Sequence, residues 1–226
     1  MPLMNSREKV LNRVRASLGR SGPASERERE RAQAYMSEHL VGPQPAPGLD
    51  LVASFEQQSR RLSATVDRVS SLADVPRAVA AYLAREGLGR EAVCWPAYAG
   101  LDWSSAGLTV AGRAPSRDMK SQDLVGITGC FAAVAETGTL AMVSGPDSPA
   151  SMNLLPETHI AVVPTDRIVA FMEDVFRMLR KERGGMPRAL NFISGPSRTA
   201  DIEQTIVLGA HGPYRVHLLL MESDPS

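Results

Sequence analysis

Cysteine is almost missing from this 226-residue chain: Cys94 and Cys130 stand alone and far apart, with no Cys-x-x-Cys pair. A structural zinc site or a redox dithiol therefore has no ligand pattern to build on. The four histidines show no ligand spacing either, so no metal site is expected. An excess of charge of one sign is lacking too, since 25 Lys and Arg face 25 Asp and Glu. That balance points neither to nucleic acid nor to an anionic membrane surface. No stretch approaches the roughly twenty apolar residues that span a bilayer, and the N-terminus carries no apolar signal core. A cytoplasmic, reducing environment is the expectation. The glycine fingerprints G-x-G-x-x-G and G-x-x-x-x-G-K-[ST] do not occur, and no internal repeat is found.

What is present is an alternation of helical and strand-like segments behind a charged arm. Val10, Leu11, Val14 and Leu18 recur at helical spacing among charged residues, which predicts a short amphipathic helix over 6–18. Its stripe is too narrow to stabilise an isolated helix of that length, so it is expected to dock on a protein partner. The charge run Glu26-Arg27-Glu28-Arg29-Glu30-Arg31 has no apolar anchor and reads as a solvated helix or tether. Pro43, Pro45 and Pro47 then punctuate the chain before Gly48. Residues 1–45 are therefore taken as a helical arm and linker, and 46–226 as one α/β domain long enough to bury a core.

Within that domain, Leu51, Val52, Phe55, Leu62 and Val66 suggest a helix, with 65–69 open to helix or strand. Asp74 offers a cap to a helix carrying Val75, Val79, Tyr82 and Leu83. Strands are expected at 92–95, 125–128, 139–144, 159–163, 189–193, 205–208 and 214–221, while 102–112 is ambiguous. A helix capped by Thr165 or Asp166 should hold Ile168, Phe171, Met172, Val175, Phe176 and Leu179 on one face. Helices alternating with apolar strands make an α/β sheet.

Two segments carry the functional signal. From Gly126 to Gly145 an apolar run broken by glycine and threonine contains one carboxylate, Glu136. Burying it unpaired would cost several kcal/mol. It is therefore a hydrogen-bonded structural carboxylate, a protonated one, or a group turned toward a cleft and then a catalytic candidate. Downstream, the run 189–193 ends in Ser194-Gly195-Pro196-Ser197-Arg198-Thr199-Ala200-Asp201-Ile202-Glu203. A helical turn starting near Thr199 or Asp201 would offer backbone N–H groups, hydroxyls and the Arg198 guanidinium to an anion. In an α/β sheet, loops at the carboxyl ends of strands line the ligand crevice. This segment and residues 209–213 both follow strands, the latter with His211 as a second catalytic candidate, for proton transfer.

The ligand-binding candidates are Thr128, Gly129, Thr137, Gly138, Thr139, Ser194, Gly195, Ser197, Arg198, Thr199, Asp201, Glu203 and Gly212. Turn shaping is the plainer account of the glycines and prolines among these segments. His159 and His217 alternate with apolar strand residues and read as packing histidines.

The motifs Gly126-Ile127-Thr128-Gly129, Ala135-Glu136-Thr137-Gly138-Thr139, Leu155-Pro156, His159-Ile160, the run from Gly195 to Glu203, and Gly209-Ala210-His211-Gly212-Pro213 together resemble the LUD family. The likeness runs from about residue 50 to the end, and the N-terminal helix also looks like the family's. It implies an open, mainly parallel sheet with flanking helices, similar to the NagB/RpiA/CoA-transferase-like group. It also implies a role in a three-subunit system that oxidises L-lactate to pyruvate, with LutA-like and LutB-like partners and iron–sulfur clusters as electron carriers. A cluster needs about four thiolates, so the clusters are expected in the partner subunits and not in this chain. The leading expectation is a non-redox subunit whose cleft, formed by 136–139 and 194–203, binds a small carboxylate or other anion, with Arg198 as the fork. Self-association stays open. The opposed reading is a stand-alone enzyme of the CoA-transferase or sugar-phosphate-isomerase type, with Glu136 as nucleophile or base.

Overall fold

The computed structural model describes residues 6–20, 22–38, 41–116, 124–202, 205–208 and 212–222. The chain divides into two compact units, Met1–Gln44 and Pro45–Ser226. In the first, helices α1 (Ser6–Ser17) and α2 (Glu26–Glu38) bury none of their residues. The stripe on α1 stays open, with Val10 at 62% and Leu18 at 67% exposure. A capping box starts α2: the Ser25 N–H donates to Glu28 at 2.8 Å and the Glu28 N–H donates back to the Ser25 hydroxyl at 3.3 Å.

The second unit begins with α3 (Leu51–Arg61). The Asp50 carboxylate accepts from the Ala53 N–H at 2.9 Å, and Phe55 and Ser59, one turn apart, are its buried positions. Its end is closed by Ser63 N–H to Arg60 O and Ala64 N–H to Ser59 O, both 3.0 Å, with Ser63 left-handed at φ 70°. The undecided segment that follows is strand β1 (Thr65–Val69). Then come α4 (Val75–Arg85), β2 (Glu91–Cys94), β3 (Thr109–Ala111), β4 (Val125–Thr128), β5 (Ala132–Val134), β6 (Thr139–Val143), β7 (Thr158–Pro164) and β8 (Ile168–Val169). The chain continues through α5 (Met172–Arg183), β9 (Leu190–Ile193), β10 (Arg198–Ile202), β11 (Thr205–Leu208) and β12 (Arg215–Met221).

Six strands form one parallel sheet in the order β1-β12-β7-β4-β2-β3. A smaller sheet has the order β8-β5-β6-β9, antiparallel except between β8 and β5. Strands β10 and β11 make a separate antiparallel ribbon. Alternation along the strands builds layers on both faces of the large sheet. Ile160, Val162 and Leu219 pack with Val75, Val79 and Leu83 of α4. Ala161, Val163, Leu218 and Leu220 face the other way, against Phe55 of α3 and Ala133, Leu140 and Met142 of the small sheet. The outer face of the small sheet, with Ala132, Val134 and Ala141, is covered by Val175 and Leu179 of α5. The open, mainly parallel sheet with flanking helices is thus the observed architecture, backed by a second sheet.

Three local expectations are corrected. Helix α5 starts at Met172, not at Thr165 or Asp166, because residues 168–169 pair with β5 as a short strand. Its start signal is Asp174, which accepts from the Phe171 N–H at 2.9 Å. Strand β5 escapes the periodicity reading: Ala132-Ala133-Val134 is apolar on both faces and offers no alternation. The helical turn expected near Thr199 or Asp201 is strand β10 instead, so the N–H groups expected to be free for an anion belong to a strand paired with β11.

Candidate functional site

Antiparallel pairing sets Leu140 of β6 opposite Ile193 of β9. One step further along, Thr139 and Ser194 meet through their hydroxyls at 2.8 Å. Thr137 Oγ1 joins Thr139 Oγ1 at 2.8 Å, so three hydroxyls form a chain. The two segments singled out in the sequence therefore converge at one end of the small sheet, and not on the carboxyl edge of the parallel sheet.

They converge on the last turn of α3. Gly138 has φ 63°, and a Cβ there would stand 2.5 Å from the Ser59 nitrogen; Gly195 has φ 74°, and a Cβ would stand 2.5 Å from the Leu62 carbonyl oxygen. Both positions require glycine twice over, for the left-handed backbone and for the closeness of the helix. The Arg198 guanidinium donates to the Ser63 hydroxyl. That puts its charge at the C-terminal end of α3, the negative end of the helix dipole, which favours a cation. Gly212 lies beside Ser197, whose N–H donates to Pro213 O at 2.9 Å.

Glu136 occupies the turn between β5 and β6, and its side chain is exposed, which removes the buried structural carboxylate from the alternatives. The turn is pinned to the end of β8: Ala135 N–H donates to Val169 O at 2.8 Å and Glu136 N–H to Ala170 O at 3.2 Å. Beside it opens a cavity of about 210 Å³ lined by Pro45, Ala46, Pro47, Gly48, Leu51, Ser54, Gln58, Ala135, Ala170 and Phe171. Arg198 is not among the residues that line it. Among the described residues the Glu136 carboxylate takes no hydrogen bond or ion pair.

Thr128 and Gly129 lie apart from this cluster, at the carboxyl end of β4. Thr128 Oγ1 is 2.7 Å from His159 Nε2, both buried. A Cβ at Gly129 would meet the Tyr98 hydroxyl at 2.5 Å and the Trp95 ring at 3.0 Å. Burial pulls His159 down to about 4, so its ring is neutral near pH 7. His217 is also buried and stacked on Tyr82, ring centroids 3.9 Å apart. Thr199 and Asp201 lie on β10, while Glu203 and His211 fall outside the described residues.

The residues that sequence reasoning missed are Ser54, Gln58 and Ser59 on α3, Ser63 just after it, and Phe171 just before α5. One signal was available, since Ser59 holds a core position one turn after Phe55, where an apolar residue is the rule. Among the described residues no three His, Cys, Asp or Glu side chains gather as metal ligands. No described helix is long and apolar enough to cross a membrane.

A parallel sheet doubled by a smaller sheet, with glycine turns docked on a helix end, defines an open α/β domain with an accessory sheet. The chain belongs to the LUD domain family, whose family model matches residues 52–221. It is 30% identical over 230 residues to "Lactate utilization protein C" of Exiguobacterium sp., spanning 96% of each chain. It is 36% identical over 128 residues to the Bacillus subtilis protein of the same name, spanning 53% of each. In fold it is similar to a DUF162 family protein from Deinococcus radiodurans, with TM-score 0.55 and 24% identity, over 78% of this chain and 99% of that one.

Proposed function

We propose that this chain is a non-redox subunit of a cytoplasmic L-lactate utilisation system, acting beside LutA-like and LutB-like partners whose iron–sulfur clusters carry electrons from L-lactate to pyruvate. The observation that carries this reading is the likeness to a lactate utilization protein C along 96% of both chains. An iron–sulfur cluster does not fit the chain itself. It needs about four thiolates, and burial pushes the thiols of Cys94 and Cys130 up to about 11 and about 12. In a bacterium that grows on L-lactate through such a system, deleting the gene should abolish that growth and restoring this chain should return it. The tagged chain should also retain iron and acid-labile sulfide through its partners. Unaffected growth together with an iron-free pull-down would overturn the reading.

The small-carboxylate site of that subunit is assigned to Arg198. The guanidinium has five N–H donors, and the Ser63 contact leaves a fork for a carboxylate. Arg198→Ala should weaken L-lactate or pyruvate binding in calorimetry by about 1.5–3 kcal/mol. Arg198→Lys, which keeps the charge but not the fork, should recover only part of it. Identical titrations of wild type and Arg198→Ala would remove Arg198 from the site.

A further inference from the structure

We propose that the cavity beside Glu136 receives one basic side chain, lysine or arginine, of a partner polypeptide. The inference stands on the cavity and does not need the lactate reading. Its charge is one-sided: Glu136 is present, and no Lys, Arg or His is among the lining residues. An anion would find no cationic side chain there, whereas a cation meets a carboxylate that is unengaged among the described residues. The walls suit the stem of such a side chain, because Pro47, Leu51 and Phe171 are apolar and an aromatic ring also attracts a cation.

Neutral acceptors complete the set. The Ser54 hydroxyl donates to Asp50 O at 2.8 Å, which leaves its lone pairs for an incoming N–H, and the Gln58 amide oxygen, which takes one long contact from Arg61 at 3.4 Å, keeps a second lone pair. The turn that carries Glu136 is held by two backbone bonds to the end of β8, so the carboxylate sits on a backbone fixed before binding.

Size and exposure select the source. At about 210 Å³ the cavity is smaller than the roughly 300–1,000 Å³ of small-molecule sites. Its size suits one side chain or a group no larger. Glu136 also stays exposed, so the site is open to solvent and fits a group whose remaining binding surface lies outside it.

The test is an NMR titration of the full isotope-labelled chain with three probes: acetyl-Gly-Arg-Gly-amide, acetyl-Gly-Glu-Gly-amide and n-butylammonium chloride. The arginine peptide should shift the amide signals of Ser54, Gln58, Glu136 and Ala170. Its affinity should fall roughly ten-fold or more in Glu136→Gln, the effect of losing a charged hydrogen bond. The glutamate peptide should leave those signals in place. Equal response to the acidic peptide, shifts confined to other residues, or an unchanged affinity in Glu136→Gln would each overturn the proposal. Tighter binding of butylammonium than of the arginine peptide would overturn it as well, in favour of a free amine.

Discussion

Acidification from pH 7 toward pH 4 should strip this fold of several kcal/mol of stability, because two buried imidazoles are accepted only in their neutral form. Burial lowers both His159 and His217 from 6.5 to about 4. Around His217, Thr65 Oγ1 meets Nδ1 at 2.8 Å, Tyr82 covers the ring, Asp67 draws the pKa up and Arg85 pushes it down. Desolvation outweighs them all. The folded pKa lies below the unfolded one, so the folded state binds fewer protons. The contribution is complete above pH 6.5 and is lost as pH falls toward 4. Each ring accounts for about 3 kcal/mol at most, against a total stability of about 5–15 kcal/mol.

Urea unfolding at successive pH values should give a slope approaching about 2.7 kcal/mol per pH unit near pH 5, the signature of two protons. The carboxylates of Glu56 and Glu182, held low by Arg68 and Arg167, add their losses only below their ordinary 4.5. His217→Phe keeps an aromatic ring on Tyr82 but takes no proton, so it should remove about half of the slope. A stability curve flat from pH 7 to pH 5 would contradict neutral burial of these rings.

Gly138→Ala should destabilise the domain by about 2–5 kcal/mol, from about 1–2 for a left-handed backbone and about 1–3 for overpacking. The added methyl would lie 2.5 Å from the Ser59 nitrogen and 2.7 Å from the Gln58 carbonyl carbon, both backbone atoms of α3 that no rotamer change can move. Gly184 supplies the control. It has φ 67° and nothing within 4 Å of where a methyl would sit, so Gly184→Ala carries only the backbone cost of about 1–2 kcal/mol. Midpoints of urea unfolding for the two variants measure the difference. Equal losses would show that the hairpin turn does not press on the helix.

Much of the architecture is legible in the sequence because its signals are local. The helix over 75–85 follows from its apolar spacing, and the strands near 125–128, 158–164 and 215–221 from short apolar runs. Where local signals compete, the sequence misleads. Ile168 continues the helical pattern of α5, yet pairing with β5 draws it and Val169 into a strand. The candidate site is legible as residue types but not as an arrangement. Glu136 and Arg198 both stand out along the chain, yet a pinned turn sets one beside the proline-lined cavity, while a helix end holds the other at Ser63.

The sequence by itself determined the balanced charge, the shortage of thiols and the apolar segments that had to become a sheet. Those are properties of single residues and of spacings within one turn or one strand. Only the tertiary structure decided that Thr139 and Ser194, 55 residues apart, share a hydrogen bond. It alone set Gly138 and Gly195 against α3 and left Glu136 exposed beside a cavity. The reason is physical: such meetings depend on strand register and on how closely two backbones approach, and both are settled by packing between segments far apart in the chain.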